Sequence, residues 1–160
     1  MDPVTAAGIA VLLLAVAATA TFWRRAVRRG AGAGVAAASA LAFGSGLVTV
    51  GLATGHLLGV VITELHRSPL SYDFRVYALL LLGSVLGALG MRLTVAAIGL
   101  ARGERAAWRS AVTAAVMLLM VNAPLAPIQG FAVALCVFAL IGLVPLLTIR
   151  RRVAQSDVGA

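Results

Sequence analysis

Residues 30–63, GAGAGVAAASALAFGSGLVTVGLATGHLLGVVIT, and residues 110–149, SAVTAAVMLLMVNAPLAPIQGFAVALCVFALIGLVPLLTI, contain no charged residue. A helix needs about 20 apolar residues to cross about 30 Å of hydrocarbon. The second run, as one helix, would be roughly 60 Å long, twice that thickness. It must turn, and Asn122-Ala123-Pro124-Leu125-Ala126-Pro127-Ile128-Gln129-Gly130 supplies the helix breakers. These two runs decide the fold class: an all-α, polytopic membrane bundle.

The rest of the chain agrees. Of 160 residues, 62% are hydrophobic and 11% charged, against about 45–50% and about 25% in soluble domains. A soluble chain this short cannot hide so much apolar surface in one core. That excludes an ordinary soluble enzyme, a nucleic-acid-binding domain and a disordered chain. The net charge of +8 comes from thirteen arginines, no lysine and five acids. The arginines sit at the ends of apolar runs and form no basic stripe interleaved with aromatics, so nucleic acid is not an expected partner. Arginine without lysine, with abundant Ala and Gly, is the composition of a GC-rich bacterial genome. The lone Cys136 lies in an apolar run and behaves there as a small hydrophobe.

Five spans are expected in one domain, at about 4–23, 35–63, 74–101, 107–122 and 131–149, with a short cytoplasmic tail at 150–160. The first run carries Asp2 before it and Arg24, Arg25, Arg28 and Arg29 after it. That polarity is the reverse of a signal peptide, so a retained helix is expected. Between spans two and three the chain turns polar from Glu64 to Asp73, and Pro69 disfavours helix at Ser68. Arg92 lies inside the third span but close enough to its end to snorkel. The fourth span is short, and a shallow re-entrant hairpin made of spans four and five is the alternative.

Positive charge sets orientation. With the N-terminus outside, one side receives Arg24, Arg25, Arg28, Arg29, Arg102, Arg105, Arg109, Arg150, Arg151 and Arg152, and the other only Arg67 and Arg75. The expected location is the bacterial inner membrane, N-terminus out and C-terminus in. Trp23 and Trp108 then fall at the inner boundary, and Tyr72, Phe74 and Tyr77 at the outer.

Two sets of residues are candidates for function. Gly51, Gly55 and Gly59 in span two, and Gly83, Gly87 and Gly90 in span three, recur at helical spacing and let backbones approach closely. They form either a packing face within one subunit or an interface with a second copy or another membrane subunit. Thr49, His56 and Thr63 lie seven residues apart on one helix face, with Ser45 near it. Counted from Glu64, His56 is about 12 Å below the outer boundary, close to the membrane middle. Intramembrane ionisable groups are functional candidates. A polar path would run from Thr49 through His56 and Thr63 to Glu64, His66, Asn122 and Gln129. The plainer alternatives are a structural His56 with one interhelical hydrogen bond and a solvated outer loop.

No catalytic set is expected. The chain lacks a nucleophile elbow, a paired-histidine metal motif, a phosphate loop and a CxxC. No metal is predicted. Haem b is a minor alternative, because His66 sits at the interface and a second axial His56 would have to come from a second copy. The arginines at the inner side could attract anionic lipid, although topology already accounts for them. The leading expectation is a non-enzymatic scaffold or accessory subunit of a homo-oligomer or larger membrane complex. A channel or transporter for a small solute or proton along the His56 stripe comes second, and a b-haem redox subunit third.

Overall fold

In a computed structural model the described residues are 3–65, 74–127 and 130–155, with side chains described for all of these except 3–8, 64, 65, 75, 105, 131 and 150–155. Each apolar run forms helix, as a backbone without water to bond must. In chain order the helices are α1 (Pro3–Arg28), α2 (Ala33–Leu65), α3 (Phe74–Ala101), α4 (Arg105–Asn122) and α5 (Gly130–Gln155), and there is no strand among the described residues. The boundaries differ from expectation mainly at the arginine-bearing ends, where helix continues past the expected spans. α1 runs to Arg28 and α5 to Gln155, so the expected C-terminal tail is helical as far as it is described.

Two glycines make the sharp ends possible. Gly30 has φ +82° and Gly103 φ +80°, the left-handed region open to glycine. At the first, Ala31 N–H bonds Ala26 O (3.2 Å) and Gly30 N–H bonds Val27 O (3.0 Å). At the second, Glu104 N–H bonds Gly99 O and Gly103 N–H bonds Leu100 O, both at 3.0 Å. Both are Schellman closures. The Gly/Ala-rich stretch from Gly30 therefore turns only over 29–32, and α2 starts at Ala33.

α2, α3, α4 and α5 close into a ring: α2 packs on α3 and α5, α4 packs on α3 and α5, and α1 lies against α2 outside the ring. Neighbours are antiparallel. Val11 and Thr19 of α1 meet Gly51 and Gly44 of α2, and Leu57 and Thr94 bracket the α2–α3 seam at Gly83 and Gly46. Arg92 Nε donates to Ser110 Oγ at 3.1 Å between α3 and α4, and Trp108 Nε1 donates to Leu146 O at 2.8 Å between α4 and α5. The ring interior is filled by Leu86, Leu93, Leu118, Leu135 and Leu146, all fully buried, set among alanines such as Ala97, Ala111, Ala114 and Ala139.

Four helices are long and apolar enough to cross a membrane, over Ile9–Arg28, Ala33–Thr63, Val76–Ala101 and Ala132–Ile149. The apolar part of α4, Ala106–Asn122, is shorter. It nevertheless runs beside α5 without a break. From Trp108 to Asn122 it covers roughly 21 Å of axis, against roughly 24 Å for α5 from Gly130 to Leu146.

Candidate functional site

The hydroxyls of the expected polar stripe bond back to their own helices. Thr49 Oγ1 donates to Ser45 O (2.8 Å) and Thr63 Oγ1 to Gly59 O (2.7 Å), and Thr54, Ser84 and Thr94 do the same. Each bond runs to the preceding turn, so none of these donors reaches across to another helix. Exposure changes along the stripe: Thr49 is 1% exposed, His56 is half-buried and Thr63 exposed.

The cause is the unequal reach of the helices. A Cβ on Gly83 of α3 would lie 3.2 Å from His56 Cδ2. Stepping nine residues along α3 and α4 from the Arg92–Ser110 bond brings Gly83 level with Leu119, in the last turn of α4. His56 therefore lies near the α4–α5 turn and not at the middle of the bundle. α2 continues to Leu65, roughly 9 Å further than α4 reaches. Among the described residues α4 ends about one turn past the level of His56, so Thr63 lies beyond its end. Counting inward from Glu64 alone missed this, because it assumed all spans share one outer boundary.

Asn122 is fully buried at that same turn. Its Nδ2 donates to Leu118 O at 2.7 Å, and its Oδ1 has no hydrogen-bond partner among the described residues. Ser45 Oγ, also buried, is likewise without a partner among them and lies against Gly142 of α5. Between the Asn122 level and the arginine-bearing end, the interior holds the fully buried leucines. Glu64 lies in the last turn of α2 with its side chain outside the described set, and His66 and Gln129 are outside the described residues. No group of three or more His, Cys, Asp or Glu that could hold a metal occurs among the described residues.

The glycines separate into two kinds. Gly83, Gly87 and Gly90 all face α2: a Cβ on Gly87 would lie 3.7 Å from Ala53, and one on Gly90 would lie 3.0 Å from Gly46 O. Their counterparts on α2, however, are Gly46, Thr49, Ala53 and Leu57. Gly51 instead meets Val11 of α1, and Gly55 and Gly59 meet nothing described within 4 Å and are exposed. The two expected glycine faces therefore do not pack on each other. The small residues Gly46, Thr49 and Ala53, spaced three and four apart, are the sequence signal that would have found the true seam.

Two clefts flank α1. Between α1, α2 and α5 an apolar cleft of about 500 Å³ is lined by residues that include Leu12, Val16, Trp23, Leu41, Ser45 and Phe138. Between α1, α2 and α3, a smaller one of about 240 Å³ is lined by Phe22, Arg25, Arg29, Phe43, Ile98 and Ala101, among others.

No protein-family model, no curated protein and no solved structure matches this chain.

Proposed function

We propose that the chain is a non-enzymatic, membrane-embedded scaffold or accessory subunit of the bacterial inner membrane that works in a homo-oligomer or a larger membrane complex. The observation that carries this is the pair Gly55 and Gly59. They are one turn apart on α2, exposed, and without a described neighbour, while Gly44, Gly46 and Gly51 of the same helix are all in close contact. Glycine in a membrane helix is destabilising unless a second backbone uses the space. α1 supports the same reading, with only 11% of its apolar window buried, so much of its surface is open to other membrane components. The filled ring interior favours a packing role over a conducting one.

The ten-to-two division of arginines by sequence supports an N-terminus outside and a C-terminus in the cytoplasm, and is the same whether α4 and α5 cross fully or form a re-entrant hairpin. Cysteine-free chain carrying a photocrosslinker at Leu58 tests the reading in native membranes. The wild type is expected to form a discrete crosslinked species, to itself or to another subunit. The double variant Gly55→Leu/Gly59→Leu is expected to lose it while keeping its helical content. A chain that is monomeric in native membranes and recovers no other subunit overturns the proposal.

A further inference from the structure

The positive-inside rule explains which end of a span carries arginine, but it is indifferent to the helix face. Arg24, Arg25 and Arg28 lie on α1 and Arg29 follows its last residue, with its N–H still bonded to Arg25 O at 3.1 Å, so the four form two pairs at four-residue spacing, Arg24 with Arg28 and Arg25 with Arg29. Adjacent residues on a helix differ by about 100° around the axis, so the pairs face different directions. Arg25 and Arg29 line the cleft between α1, α2 and α3. Beneath them, toward the hydrocarbon, its floor is Phe22, Phe43 and Ile98. The Phe22 and Phe43 rings stack at 4.4 Å between centroids and 8° between planes, which fixes that floor.

Side chains four apart on a helix start about 5–6 Å from one another, close enough for two guanidiniums to hold one phosphate. By sequence this end of the bundle carries ten arginines against Glu104 and Asp157. The cleft is thus cationic at the headgroup level and apolar below it. The larger cleft on the other side of α1 has no charged residue in its lining and offers a headgroup nothing specific.

We propose that the α1–α2–α3 cleft is a binding site for an anionic phospholipid. The lipid phosphate sits between Arg25 and Arg29, and the first methylenes of an acyl chain lie on Phe22, Phe43 and Ile98. A basic pocket between membrane helices on the positive side is the setting in which such headgroups are held.

The test titrates phosphatidylglycerol into the purified full chain in phosphatidylcholine nanodiscs and measures retained lipid after washing. The wild type is expected to retain phosphatidylglycerol at least tenfold over phosphatidylcholine. R25Q/R29Q is expected to lose at least tenfold, and R24Q/R28Q, with the same change in charge, less than threefold. Equal losses in the two variants mean diffuse attraction and overturn the proposal, as does a wild type that prefers neither lipid. Displacement by millimolar inorganic phosphate also overturns it, since the chain contacts would then contribute nothing. Hydrogen exchange on the wild type provides a reading that needs no variant. Phosphatidylglycerol should protect residues 22–29 and 98–101 selectively, and protection spread evenly over every arginine-bearing end contradicts the site.

Discussion

Gly46 and Gly55 are the same residue type on the same helix, yet they carry opposite expectations. A Cβ on Gly46 would lie 2.7 Å from Gly90 O and 2.8 Å from Thr94 N, and would also strike Thr94 Oγ1. Backbone atoms cannot swing aside, so α2 and α3 would have to separate. Gly46→Ala is expected to destabilise the fold by about 1–3 kcal/mol or more, measured as reversible unfolding in mixed micelles. Gly55→Ala meets nothing described and should leave stability unchanged or raise it by up to about 1 kcal/mol; a large loss there would mean the glycine is already packed within the monomer. The sequence marks both as glycines at helical spacing and cannot rank them, because spacing is a property of one helix and contact a property of two. The polar stripe shows the same limit. Thr49, His56 and Thr63 share a face by arithmetic alone, but their exposure follows from where α4 and α5 stop.

At the scale of elements, helix ends were more legible than helix partners. Gly30 and Gly103 stand just past the ends of α1 and α3 and close them by local bonds that need no tertiary neighbour. The turn after Asn122, described over 123–127, was equally plain from its prolines. What could not be read was the bond from Trp108 Nε1 to Leu146 O, 38 residues away in sequence. Trp108 was expected as an interfacial aromatic; its indole also ties the start of α4 to α5. It acts one residue beyond Pro145, which sits inside α5 and has no N–H to donate to the preceding turn. Trp108→Phe keeps an aromatic ring but loses the pyrrole part of the indole together with its donor. Unfolding in mixed micelles should show a loss of at least about 1 kcal/mol, and an unchanged stability would show that the bond contributes nothing.

At the scale of the molecule, the quantity to measure is how many times the chain crosses. Replacing Cys136 with Ala and placing single cysteines at 31, 70, 103 and 126 turns this into an accessibility measurement. Positions 31 and 103 should label from one side of the membrane, and 70 and 126 from the other. If 103 and 126 label from the same side, α4 and α5 form a re-entrant hairpin and the five-span topology fails. By itself the sequence determined the solvent and the number of apolar segments, because length and hydrophobicity set the cost of every charge in lipid. It also placed the end of α3 at 101, before the charged segment 102–105, whereas α1 runs five residues past its expected end at 23, to the turn at Gly30. Only the tertiary structure decided that α2–α5 form a ring with α1 outside, that Gly46 and not Gly55 lies in the seam, and that Arg25 and Arg29 overlook a cleft. Those outcomes depend on which faces of separate helices meet, and helices that are apolar nearly all round carry no periodic signal to say so.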